Sequence, residues 1–298
     1  MMDKSKIEKY GDELYDALIN RKAVAPLTDR EADITIEDAY RMEDAVRRTR
    51  RVLQVGSQRR SSEICLEARK IVESGTLGTV RLLNCWWHGR TISQLRQRKL
   101  EGHLDWEQWL GPAPKRPFDP IRFFNWLWFW EYGGGYMIGQ TVHILDATHM
   151  FMNPGHPLAV TALGKNSIPG SEIPETTSIS VEYRDYLAVF TVGYKAMRYN
   201  PPEMSHELKQ LNGSAARLDV GRETLALYDE DPEAVDLKPR IELKKYGAIE
   251  RSVRAHIRDF LECVRTRRDP RASVEAGRES IVVLAMAGES LRSRRTVG

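Results

Sequence analysis

Apolar residues at Ile7, Tyr10, Leu14 and Leu18 recur at steps of three and four, which predicts an amphipathic helix near the start of the chain. Lys22–Asp33 reads as a loop around Pro26. Thr35 then opens a second helix, running to about Arg48, with Asp38 three residues on as a partial capping box. Arg51–Gln58 (RVLQVGSQ) is a short β-branched run ending in Gly-Ser, the pattern of a buried parallel strand. Ser61–Ser74 carries Ile64, Ala68 and Ile71 on one helical face and is closed by Gly75 and Gly78.

From Val80 the pattern becomes strand-rich. Val80–His88 is a strand whose alternation sets Trp86 and His88 on one face and Trp87 on the other. A polar, basic stretch and an aromatic segment (Trp106 to Trp130) follow. Gly133-Gly134-Gly135 then introduces one helix to about Met152. Strands are predicted at 158–164, 176–183 and 187–195, and at 205–211 and 215–220 around the Asn212-Gly213 turn signal. Two helices close the chain. The first has Ile249, Val253, Ile257, Phe260, Leu261 and Val264 as one apolar stripe expected to face the core, and the second covers roughly Val274–Arg292. A strand-rich middle between helical ends argues an α+β fold.

Composition narrows the class. The 298 residues are 41% hydrophobic and 29% charged, enough to bury a sizeable core, and no apolar run approaches the length of a membrane span. The charged N-terminus is unlike a signal peptide, which predicts a cytoplasmic location. Three widely spaced cysteines (Cys65, Cys85 and Cys263) exclude a disulfide framework and a cysteine-rich zinc site, and Cys65 and Cys263 fall on apolar helix faces as buried thiols. A net charge of +3 gives no reason to expect nucleic acid as a partner. That balance hides a shift, however. Residues 1–46 hold twelve Asp/Glu against seven Lys/Arg, a local charge of −5, so the remainder carries +8. The shift falls at a run of six arginines within residues 47–60, read as a solvated helix end and loop or, alternatively, as a phosphate-binding patch.

Five phrases, VLQVGSQRR, SGTLGTVR, LDWEQWLGPAPKRPFDPIRFFNWLWFWEYGGG, HILDATHMFM and HIRDFLECVRTRRDPRASVEAG, occur in an order that resembles the glucose–fructose oxidoreductase / inositol dehydrogenase (Gfo/Idh/MocA) family from about Thr35 to the C-terminus. The resemblance implies a large, open, mostly antiparallel sheet with helices that presents the substrate, preceded by a truncated remnant of a Rossmann domain. It also implies NAD or NADP as cofactor, a sugar, cyclitol or related polyol as substrate, and a homo-oligomer built through the sheet. The organisation expected is a helical leader (1–46), a dinucleotide-domain remnant (47–78) and a substrate and oligomerisation domain (79–298).

The departures are equally specific. No G-x-G-x-x-G occurs anywhere in the chain, although pyrophosphate recognition needs close-approach glycines at a helix N-terminus. Asp29-Arg30-Glu31 stands where the family has Glu-Lys-Pro, and arginine cannot trade a proton as a buried lysine can. Residues 1–42, through IEKYGDELYDALINRKAVAPLTDREADITIEDAYRM, resemble instead the N-terminus of the 2-keto-4-pentenoate hydratase family. The chain reads as a hydratase-like leader fused to an oxidoreductase that has lost its front.

By the resemblance, His143 is the proton-transfer residue, a role that suits imidazole, and the competing reading is a packing histidine. Gly139 occupies the position, one turn earlier, where the family places Asp or Asn. Asp146, Trp128 and Gln140 are expected to contact substrate, with Trp126, Trp128 and Trp130 forming an aromatic wall or, equally, filling core. Gln58 is a nicotinamide contact or a plain loop residue. Asp146 and His149 continue a spacing of three after His143, but such steps fan around a helix, so no metal site is expected. Two functional readings follow: an NAD(P)-dependent oxidoreductase impaired in cofactor binding, or a non-catalytic sugar-binding or scaffold protein derived from one.

Overall fold

The computed structural model describes residues 48–49, 51–88, 94–111, 113–193, 207–231, 233 and 238–298. The two leader helices expected before Arg48 and the Asp29-Arg30-Glu31 stretch lie outside the described residues.

A 3-10 turn at Gln58–Ser61 leads into helix α1 (Glu63–Glu73) and strand β1 (Val80–His88), then short helices α2 (Trp106–Leu110) and α3 (Pro120–Phe124). Asp105 and Asp119 cap α2 and α3 by accepting hydrogen bonds from backbone amides of their first turns. Helices α4 (Gly135–Gly139) and α5 (Thr141–Met152) precede β2 (Ala159–Lys165), β3 (Thr176–Glu182), β4 (Leu187–Gly193), β5 (Glu207–Gly213), β6 (Ala216–Val220), β7 (Thr224–Asp229) and β8 (Ile241–Lys244). Helices α6 (Ala248–Thr266) and α7 (Val274–Ser293) end the fold.

The eight strands form one sheet in the order β2-β3-β4-β1-β5-β6-β7-β8. Only the central pair β1–β4 is parallel, Leu83 facing Ala188 and Cys85 facing Phe190, and every other pairing is antiparallel. The α+β, mostly antiparallel sheet expected from the sequence is what the chain forms. Alternation sends Leu83, Cys85, Ile179, Phe190, Leu211, Leu218 and Leu225 into the core, with Ile64, Ala68, Ile144 and Leu284 contributed by the helices. On the other face of the sheet Leu163 and Leu187 remain 67% and 53% exposed.

Four expectations are corrected. Arg51–Gln58 is not a strand: Val55 N–H donates to Ala272 O at 2.9 Å and Gln54 Nε2 donates to His256 O at 3.0 Å, so this apolar run lies against the C-terminal helices. The helix after the glycine triplet is two helices, broken at Gln140. The turn expected at Asn212-Gly213 falls instead at Ser214-Ala215, because β5 continues through Gly213, which pairs with Val80. Most notably, α6 is inverted. It buries Ala248, Ser252, His256, Asp259 and Cys263 and leaves Val253, Ile257, Leu261 and Val264 exposed. Much of the buried stripe's polarity is satisfied: Ser252 donates to Ile249 O at 2.7 Å, and Asp259 accepts from Arg268 Nη2 at 2.7 Å and from the Arg271 amide at 2.9 Å. All three cysteines are buried, as expected for Cys65 and Cys263. Among the described residues, no helix is long and apolar enough to cross a membrane.

Candidate functional site

Helix α5 runs through the middle of the molecule, with Thr141 and Ile144–Phe151 buried. Polar side chains on such a helix need partners inside the protein, and Asp146, Thr148 and His149 each find at least one. Asp146 Oδ1 accepts from Arg60 Nε at 2.8 Å, with Asp146 only 1% exposed. His149 Nε2 shares a 2.6 Å hydrogen bond with the Tyr183 hydroxyl. Burial raises the Asp146 carboxyl to about 6 despite the pull of Arg60. Burial also lowers His149 to about 3, so this imidazole is neutral at physiological pH. The two residues thus turn to different partners on different elements.

His143 differs from both in being only partly buried. Its ring lies 5.9 Å from Trp87, centroid to centroid, on the inward-facing end of β1. As the alternation requires, Trp86 and His88 stack together on the other face at 6.4 Å. Arg59 lies over the same Trp87 ring at 5.4 Å and Arg222 at 6.0 Å, both within cation–π range. Arg59 is ion-paired with Glu207, and Glu207 accepts from Lys209 Nζ at 2.6 Å. Glu207 and Lys209 sit two residues apart on β5, opposite Trp87 and Cys85 of β1, so the register delivers both charges to the His143 side of the sheet. Burial pushes the Glu207 carboxyl up, but Lys209 and Arg59 hold it below the usual carboxylate range. Burial lowers the His143 pKa, and the positive charges of Arg59, Arg222 and Lys209 lower it further. A neutral imidazole on an aromatic surface, rimmed by cations, is equipped to accept a proton and to stabilise an oxygen that gains negative charge.

The remaining candidates group around this point or away from it. Gln140 is the junction residue between α4 and α5 and is partly exposed, one helical turn before Ile144. Gln58 opens the 3-10 turn that carries Arg59 and Arg60. Trp128 is buried in a satellite cluster with Leu95, Phe129 and Ile168, its ring set edge-on to Tyr136 at 5.0 Å. The aromatic ring beside His143 is therefore Trp87, while Trp128 packs against Tyr136 of α4. Arg59, Trp87, Glu207, Lys209 and Arg222 were not singled out as site residues by sequence reasoning. The arginine run had been read as solvent-facing or phosphate-binding, yet its last two members, Arg59 and Arg60, are each claimed by a buried carboxylate. The signal that could have found the cluster is a Glu-x-Lys-x-Leu alternation that puts two charges on the same face as an apolar residue.

The glycine triplet gives a direct test of dinucleotide fit. A Cβ on Gly134 would lie 2.1 Å from Ile138 Cδ1, and one on Gly135 (φ +60°) would lie 2.6 Å from Ile173 Cγ2. These glycines let the chain pack closely against Ile138 and Ile173. Among the described residues none forms the glycine-rich strand-to-helix turn that a pyrophosphate needs. No group of three or more metal-ligating side chains occurs among the described residues either. A cavity of about 670 Å³ lies elsewhere, on the outward face of the sheet, lined by His88, Leu163, Lys165, Ser178 and Thr191.

Comparison with known proteins places this architecture. Residues 65–214 match the GFO/IDH/MocA C-terminal domain. Among solved structures, an oxidoreductase from Agrobacterium radiobacter in complex with NAD+, L-tartaric acid and magnesium superposes with a TM-score of 0.61 at 15% identity, covering 88% of this chain and 69% of that one. The aldose-aldose oxidoreductase of Caulobacter crescentus, complexed with glycerol, superposes at 0.59 and 19% identity, covering 88% and 68%. A different likeness is short: 39 residues are 56% identical to the 2-hydroxypent-2,4-dienoate hydratase of Pseudomonas putida, 13% of this chain and 18% of that enzyme's length.

Proposed function

This chain belongs to the GFO/IDH/MocA family, and from that premise we propose that it provides the substrate side of an NAD(P)-dependent oxidoreductase for a sugar, cyclitol or related polyol, while itself binding the cofactor poorly. The observation that carries the reading is the placement of His143 against Trp87 with Arg59 and Arg222 over the same ring. An apolar ring face bordered by hydrogen-bonding and charged groups suits a sugar, whose C–H face packs on the ring while its hydroxyls reach the rim. His143, neutral near pH 7, is positioned to take a hydroxyl proton, with Gln140 one helical step away to orient the ligand. Asp146 holds the 3-10 turn of Gln58–Ser61 through Arg60 and so fixes the site from behind. In the wider family such a site works with a bound nicotinamide, which accepts or supplies the hydride. Complexes of the structural neighbours with NAD+ and with glycerol support this pairing of ligands for the fold.

The second reading, a non-catalytic sugar-binding or scaffold protein, is favoured by the packing of Gly133–Gly135 against the chain itself. Both readings divide the chain into a leader with hydratase-like sequence (1–46), a segment derived from the dinucleotide domain (47–78) and the substrate domain (79–298).

The same test serves both. Polyols and aldoses titrated against the full chain should change its tryptophan fluorescence, and His143→Asn should weaken that binding at least tenfold with the melting temperature within about 1 °C of wild type. Equal affinity in the two proteins, or a melt lowered by the several degrees expected for a lost packing interaction of about 1–2 kcal/mol, would remove His143 from the site. We also place a homo-oligomeric contact on the outward face of the sheet, where Leu163 and Leu187 are exposed beside the apolar cavity. Light scattering at tens of micromolar should report at least a dimer, and a stable monomer would contradict this.

A further inference from the structure

Helix α6 turns its polar stripe inward and leaves Val253, Ile257, Leu261 and Val264 between 39% and 60% exposed along a single face. Contiguous apolar residues on a helix face mark a surface that something covers. One flank of this stripe is basic, because Arg254 and Arg258 each follow an apolar member in sequence and both are exposed. We propose that this face of α6 is the docking surface for the N-terminal leader of the same chain, through the apolar repeat Ile7, Tyr10, Leu14 and Leu18.

Three observations select that occupant. The described chain meets α6 near its start, where Gln54 donates to His256 O, and Val55 donates to Ala272 O between α6 and α7, so the tether of the leader begins beside this helix. Tethering also sets the reach: the residues between Leu18 and Arg51 can span far more than the roughly 28 Å length of a nineteen-residue helix. A docking partner on such a tether competes at high effective concentration. Charge is complementary as well. Between Ile7 and Leu18, Glu8, Asp12, Glu13 and Asp16 stand against Lys9 alone, a local charge of −3 to set against the arginine flank of α6. A second copy of the chain is a poorer occupant, since a two-fold α6–α6 contact would set Arg254 and Arg258 against their own equivalents. The spacing of three and four in the leader matches the groove-and-ridge surface of a second helix.

The test is a crosslink in the full chain, whose three native cysteines are buried. L14C/I257C should close a disulfide under mild oxidation at least tenfold faster than D16C/I257C, in which the leader cysteine lies on the opposite helical face. The rate should not depend on protein concentration. Equal rates for the two pairs would overturn the proposal, as would crosslinked dimers whose yield rises with concentration, which would assign the face to a second copy. Should the paired variants fail to fold, hydrogen exchange on full-length Leu14→Lys decides: residues 253–264 should exchange several-fold faster than in wild type, and unchanged exchange there would overturn the docking. None of these outcomes depends on the His143 site.

Discussion

Gly139 stands one helical turn before His143, and the nearest atom to a Cβ built there is Leu127 Cδ1 at 3.6 Å, an ordinary contact. A side chain at this position is therefore accommodated, and without one the charges that act on His143 are three cations and the Glu207 carboxylate. That is why the imidazole lies below its ordinary pKa: burial acts first, then Arg59, Arg222 and Lys209. Gly139→Asp would place a carboxylate within one turn of the ring, where an opposite charge favours the protonated form. The expected result is a rise in the His143 pKa, read by NMR titration of the ring protons against wild type; an unchanged or lowered value would mean that residue 139 does not face His143. At this scale the sequence was only partly legible. Resemblance and helical spacing pointed to His143 and Asp146, and alternation put Trp87 on its correct face of β1. Arg59 was hidden, because an arginine within an arginine-rich run reads as solvated until its partner, 148 residues away, is known.

The elements show where pattern and partner part company. Residues 51–58 have the composition of a parallel strand, but their hydrogen bonds go to Ala272 and to His256 in the middle of α6 instead of to a neighbouring strand. The α6 stripe was legible as amphipathic, and its direction was not, since the polar side is the one whose groups are hydrogen-bonded. Strands β7 and β8 were missed: β8 is four residues long and carries Glu242 and Lys244, so its pattern is too short to register. Strand β5 carries the clearest energetic consequence. Glu207 alone stands between Arg59 and Lys209 in the core, with Lys209 and Glu207 both fully buried. Removing its charge leaves two buried cations without their shared carboxylate, and breaking a buried pair in this way costs about 3–5 kcal/mol. Glu207→Gln should lose that much stability in urea unfolding, whereas the exposed pair partner Glu73→Gln on α1 should change it by less than about 1 kcal/mol. A Glu207→Gln loss no larger than the Glu73→Gln change would show that the cluster is hydrated or compensated.

For the whole molecule, the α+β sheet, its open edges and most of its strands follow from alternation and turn signals, and the family from five phrases kept in order. What the sequence could not convey is how one buried helix, α5, organises the rest: Asp146 holds the Gln58–Ser61 turn, His149 holds Tyr183, and His143 is left at the edge facing Trp87. The glycine triplet that follows the aromatic segment packs closely against Leu127, Ile138 and Ile173. The division of labour proposed for the chain, a substrate site without a pyrophosphate cradle of its own, is tested most directly by calorimetric titration of NADH into the full chain, with and without a saturating polyol. The account predicts a dissociation constant in the millimolar range or weaker in both cases; saturable micromolar binding of NADH would contradict it.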